Sequence, residues 1–167
     1  LWEMYVLSVL RKAAAPLTVT HGTRERVASK KLLHSDITGQ GLGTLIPDAI
    51  LHAGGRVRGV AGAKYKSLHP SASAPNGPQR EDLYQMAAYL GRFVPPYGGV
   101  SWGLLAYPLD PARPLIPQAE QFSPWSLDGG RKVVFTSLPH AASDAVNKLR
   151  SLIAPMAAER DVWQAQA

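Results

Sequence analysis

The chain has 167 residues, 46% of them hydrophobic, and a formal net charge of +6, which suits one globular domain with a sizeable core rather than a disordered segment. It has no cysteine, which excludes disulfides, thiolate zinc sites and cysteine nucleophiles, and makes an intracellular, cytoplasmic protein the simpler expectation. No apolar run approaches the roughly 20 residues needed to span a bilayer, and the segment from Leu1 lacks the basic leader and cleavage site of a signal peptide, so no membrane partner is expected.

Leu1 to about Ala14 reads as a helix that is apolar nearly all round, hence buried. Glu3 shares a face with Val6, Leu7 and Leu10, where a carboxylate is costly unless it binds something. Pro16 ends the helix, and Leu17–Thr20 can form a short strand. Residues 21–43 are polar and glycine-containing, with Arg24, Arg26, Lys30 and Lys31, and are expected to form a short strand or helix plus loop.

Residues 45–66 read as a β-hairpin around Gly54-Gly55. A three-residue loop, Ala53-Gly54-Gly55, pairs His52 with Arg56, Asp48 with Val60 and Ile46 with Gly62; a bulge is the other way to keep the apolar pattern in register. The even positions then share a face with one acid, Asp48, and the bases Arg56, Arg58, Lys64 and Lys66. The odd face is small and apolar, suited to packing under helices. In this register Asp48 and position 62 are diagonal neighbours, about 7–8 Å apart at the backbone. Two carboxylates so placed converge on one Mg²⁺, and Lys64 beside them can position a water or stabilise phosphate charge. Position 62, however, is glycine.

Residues 67–80 are rich in Ser, Ala, Pro and Gly and read as a mobile loop. Asp82 is expected to cap the next helix, which runs to Phe93 with Leu83, Met86, Ala87 and Leu90 as its apolar stripe. Gln85 and Tyr89 lie together on another face, able to meet the hairpin site. Pro95-Pro96 forces a break, and Gly99–Tyr107 is a continuous apolar run, expected as a central strand with Trp102 and Tyr107 packing. Residues 108–130 read as proline-rich and irregular, Lys132–Leu138 as the last strand, and a helix from Ala142 or Ser143 to Ile153 as interrupted by Pro155. His52 and His69 lack metal-ligand spacing and receive no role. Residues 49–80 hold no acid but carry Arg56, Arg58, Lys64, Lys66 and Arg80, a local basic field suited to a phosphate backbone. Arg56, Arg58, Lys66 and Arg80 are therefore the candidate DNA contacts.

The element order gives an α/β domain with a mixed central β-sheet flanked by helices. Residues 1–167 are expected to be one domain, and a start at Leu1 instead of methionine suggests a fragment of a longer chain.

Pro47-Asp48, a hairpin, and then Gly62-Ala63-Lys64 resemble the PD-(D/E)XK nuclease signature, and Gln85-Met-Ala-Ala-Tyr89 resembles the Gln-x-x-x-Tyr motif of its RecB-like branch. The set PDAIL, AKYK and DLYQMAAY, with the LWEMYV opening, resembles the McrC-type nuclease subunits of McrBC systems that restrict DNA carrying modified cytosine. The resemblance implies a restriction-endonuclease-like core and an Mg²⁺-dependent (or Mn²⁺-dependent) DNA endonuclease. It implies catalytic roles for Asp48, Lys64, Gln85, Tyr89 and Glu3, with Asp48 and Glu3 at the metal. It also implies a partner, an McrB-like AAA+ GTPase motor. The family pattern places Asp or Glu where this chain has Gly62. Three readings of Gly62 are open: an inactive, DNA-binding or scaffolding homologue; an acid supplied by Glu81, Asp82 or Glu3; or a laboratory substitution.

Overall fold

A computed structural model describes residues 1–22, 30–93, 101–113, 115–128 and 130–158. Its element order is α1 (Trp2–Ala13), β1 (Thr18–His21), β2 (Lys30–His34), β3 (Gly41–Leu45), β4 (Ala49–Ala53), β5 (Arg56–Ala63), α2 (Arg80–Phe93), β6 (Ser101–Pro108), α3 (Gln118–Gln121), β7 (Trp125–Asp128), β8 (Arg131–Leu138) and α4 (Ala142–Ala158). Six strands form one sheet in the order β1-β4-β5-β6-β8-β7, and β2 and β3 form a separate two-stranded ribbon. The β5–β6 and β6–β8 pairs are parallel and the other pairs of the large sheet antiparallel, so the sheet is mixed, as expected.

Both faces of the sheet are covered. On one, α1 and α4 pack over Leu51, Ala61, Leu104 and Val134, with Leu10, Leu138 and Leu149 fully enclosed. On the other, Met86, Tyr89, Leu90 and Phe93 of α2 pack over Ile50, Val60, Leu105 and Phe135. This explains the unbroken apolar run of β6: a parallel strand in mid-sheet has no wet face. It also corrects the expectation of an open, charged even face on the hairpin, because Ile50 and Val60 lie beneath α2 at 1% exposure each. Leu83, expected in the apolar stripe of α2, is exposed, and Tyr89 takes part in the core instead.

The hairpin register also differs from the expected one. Gly54 and Gly55 form a two-residue turn with φ of 57° and 77°, values that favour glycine at both positions. The ladder runs Ala53↔Arg56 and His52↔Val57, then shifts at a bulge between Leu51 and His52 to Leu51↔Gly59, Ile50↔Val60 and Ala49↔Ala61. Beyond the bulge the parity that a two-residue turn would have broken is restored, so Ile50, Val60 and Gly62 share a face, while on the turn side Val57 joins that face and Arg56 moves to the other. Pairing stops at Ala49, and Ile46 does not reach Gly62. Asp48 instead falls one step beyond Ala49↔Ala61, directly across from Gly62 rather than diagonal to it.

Further corrections concern segments without clear periodicity. Residues 30–45 hold the β2–β3 ribbon, while residues 23–29, with Arg24 and Arg26, lie outside the described residues. The 67–80 loop has no regular structure but is pinned by buried Leu68 and Ala74 and by hydrogen bonds between Ser71 and Ala74. The proline-rich 108–130 segment contains α3 and edge strand β7, tied together where Trp125 Nε1 donates to the Ala119 carbonyl at 2.8 Å. Pro155 sits inside α4 without ending it; its ring is exposed, and the helix continues to Ala158. No helix among the described residues is long and apolar enough to cross a membrane.

Packing of α4 against α1 closes one side of the core. Leu149→Ala should therefore cost about 2–5 kcal/mol in urea unfolding, whereas Leu152→Ala, on the half-buried flank, should cost less than half of that.

Candidate active site

One end of the sheet collects the candidate residues. Glu3 comes from the first turn of α1 and His21 from the last residue of β1. Asp48 immediately precedes β4, Gly62 and Lys64 lie at the end of β5, and Asp82, Gln85 and Tyr89 come from α2. The antiparallel β1–β4 register, His21↔Ala49, carries His21 beside Asp48. The i, i+3 and i+7 spacing on α2 points Asp82, Gln85 and Tyr89 towards the hairpin.

Asp48 is held by the backbone: its Oδ2 accepts the Ala63 N–H at 2.7 Å. Burial pushes its carboxyl above the ordinary 3.8, the neighbouring Glu3 adds to the rise, and the Ala63 amide, Lys64 and His21 oppose it. Glu3 Oε1 and His21 Nε2 share a hydrogen bond of 2.9 Å, so the acid on the apolar helix face has a partner. Lys64 Nζ stands 3.2 Å from Asp82 Oδ1 and donates to Gln85 Oε1 at 2.5 Å. Asp82 Oδ2 accepts from the Tyr107 hydroxyl at 3.1 Å. The Tyr89 hydroxyl donates to the Ile46 carbonyl at 3.1 Å and is pushed up to about 12 by burial and by Asp48.

Glu3, Asp48, Lys64, Gln85 and Tyr89 thus meet at one place. Lys66 and Arg80, both exposed, flank it in sequence next to Lys64 and Asp82. Arg56 and Arg58 do not join it. They sit at the opposite end of β5, where Arg58 is about 20 Å from Lys64 by strand rise. Asp82 is not the expected cap: the helix starts at Arg80, and the Asp82 carboxylate is engaged by Lys64 and Tyr107. It therefore does not supply a second acid to Asp48. His21 and Tyr107 escaped the sequence reading. The Glu3–His21 link depends on the β1 register, which the sequence alone did not specify, and Tyr107 lies in an apolar run that reads as packing.

Gly62 is the informative gap. A Cβ built there would lie 3.9 Å from Asp48 Oδ2, 4.0 Å from Lys64 Cε and 3.1 Å from Leu105 Cδ2. The position faces the site, its φ lies outside the glycine-only region, and the one tight neighbour is the end of a leucine side chain. Mg²⁺ is held by carboxylates with several waters. Among the described residues no three His, Asp or Glu side chains are placed to hold a metal ion. The donors present do not make a complete divalent-cation centre.

The model of the McrBC 5-methylcytosine restriction system component family matches residues 1–108. The chain belongs to this family. Those residues include every side chain of the site described above. The fold is similar to that of a chain in a solved Thermococcus gammatolerans assembly of McrB AAA+ hexamers with bound McrC, with a TM-score of 0.62 and 14% identity, over 90% of this chain and 31% of that one. The present chain thus spans about a third of the protein it resembles in structure. None of the curated proteins matches it in sequence. Family and fold together give a member of the McrBC restriction-component family built on a mixed sheet between helices.

In this family member the buried Asp48 charge opposes folding. A carboxyl whose folded pKa lies above its free value holds its proton more tightly in the native state, so its ionisation costs stability once pH exceeds 3.8 and fully above the raised value. Asp48→Asn keeps an oxygen for the Ala63 amide and removes the charge. Its thermal midpoint should exceed the parent's by about 1–4 °C at pH 8, and the gap should close as pH falls towards 4. A lower midpoint at pH 8 would contradict this.

Proposed function

We propose that this chain is the nuclease-type DNA-handling module of a McrBC restriction complex, with a phosphodiester-hydrolysing centre left incomplete by Gly62. The observation that carries the reading is the direction of the missing Cβ. It points at Asp48 and Lys64 from the distance at which a carboxylate would join them, in a site otherwise provided with the lysine, glutamine and tyrosine of the motif. The acid's place is kept and the acid is absent. As it stands, the module engages DNA through its basic rim, Lys66 and Arg80 nearest the site, and cleaves slowly or not at all.

In a complete centre of this kind, Mg²⁺ or Mn²⁺ lowers the pKa of bound water and offsets charge on the phosphate. Of this chain's residues, Asp48 would hold the ion on its side of the hairpin, Lys64 would act at the attacking water or phosphate, and Gln85 and Tyr89 would orient the strand or ion. The partner is an McrB-like AAA+ GTPase ring, by analogy with the McrB hexamers in the similar assembly. The substrate is DNA carrying modified cytosine, after the family's description.

The test is calorimetry of Mg²⁺ and Mn²⁺ on the parent and on Gly62→Asp. The substitution should tighten binding at least about tenfold, equivalent to about 1.4 kcal/mol, and should permit cleavage of modified DNA when the motor ring is added. Tight binding by the parent would mean that another acid already completes the site, and no binding by either protein would remove the nuclease-type reading.

A further inference from the structure

Lys64 stands near Asp48, whose charge attracts it, yet its ammonium is bonded elsewhere. Its backbone N–H is bound to the Ala106 carbonyl of β6 at 2.8 Å. Its ammonium turns to Asp82, 3.2 Å away, and to Gln85. The Lys64 and Asp82 side chains are 20% and 15% exposed, so solvent screens this pair only partly. The second oxygen of Asp82 is taken by Tyr107, a β6 residue at 3% exposure that immediately follows Ala106. One strand therefore grips Lys64 twice, through the Ala106 carbonyl to its backbone and through Tyr107 and Asp82 to its head.

A lysine left to itself in this site would be drawn towards Asp48, with which it interacts electrostatically. A carboxylate fixed by a second hydrogen bond makes a stronger and better directed partner for an ammonium than a free one. An ammonium has three N–H donors. Asp82 and Gln85 take two, which leaves one for a phosphate oxygen or a water.

We infer that Asp82 and Tyr107 are positioning residues that hold the Lys64 ammonium beside Asp48 but apart from it, whether or not an acid stands at position 62. The clamp gains its purpose from the proposed function, since a lysine that collapsed onto Asp48 would neutralise the group meant for a metal. Its geometry stands without that reading.

The test is labelling of the intact protein with an N-hydroxysuccinimide ester of acetate, followed by peptide mass spectrometry, with exposed Lys66 as the internal control. In the parent at pH 8, Lys64 should react about tenfold more slowly than Lys66, because its nitrogen is half-buried and hydrogen-bonded to Asp82 and Gln85. Asp82→Asn should raise the Lys64 rate several-fold and leave the Lys66 rate unchanged, a selectivity that general loosening of the fold does not produce. Tyr107→Phe, which keeps the ring and removes only the hydroxyl, should give a smaller rise in the same direction. Asp82→Glu should restore slow labelling. Should Asp82→Asn fail to fold, Tyr107→Phe decides alone. Equal rates for Lys64 and Lys66 in the parent, or a Lys64 rate unmoved in the folded variants, would overturn the clamp. The labelling involves neither metal nor DNA. Absence of metal binding by Gly62→Asp would remove the proposed function and leave the clamp standing, and fast labelling of Lys64 would do the reverse.

Discussion

The bond from the Ala63 amide to Asp48 Oδ2, 2.7 Å long, ties the start of β4 to the end of β5 just where regular pairing stops. The site depends on it. It fixes Asp48 opposite position 62 and sets the turn from β5 into Lys64. The bulge between Leu51 and His52 makes the bond possible, because without the extra residue a two-residue turn would send Asp48 to the other face of the sheet. Helix α2 then needs only to lie over the same face for Gln85 and Tyr89 to arrive.

Around that bond the acids divide their work. Asp48 is buried and held by an amide, and its burial, with Glu3 nearby, raises its affinity for a proton. Asp82 is bound on both oxygens and spends its charge on Lys64. Glu3 is joined to His21. Each of these three carboxylates therefore has a separate neighbour. The cation is held by a different carboxylate from the one it would be expected to neutralise.

Much of this was legible in the sequence because it rests on periodicity. Period-two alternation put Asp48, position 62 and Lys64 on one face, and that survived an error of two residues in register because parity was unchanged. The four-residue spacing of Gln85 and Tyr89 on a helix was equally readable. The Glu3–His21 bond was not, since it joins two elements whose relative placement depends on tertiary packing. Asp82 was read as a cap because an acid in a first helical turn usually serves the helix, and Tyr107 as packing because an apolar strand gives no sign of a hydroxyl's partner. Strand β7 and helix α3 were missed because four residues each, set among prolines, carry no period. Arg56 and Arg58 lie at the other end of β5, and the bulge puts Arg56, opposite Ala53, on the other face as well, which alternation read through the hairpin without the bulge cannot show.

On the proposed function, position 62 is the vacant corner of a metal centre organised by Asp48. Anomalous diffraction from Gly62→Asp crystals grown with Mn²⁺ tests it most directly. The account predicts one anomalous peak between Asp48 and the new carboxylate, with Lys64 still bound to Asp82. A peak held by Glu3 and His21 without the new carboxylate, or no peak on a correctly folded hairpin, would contradict it.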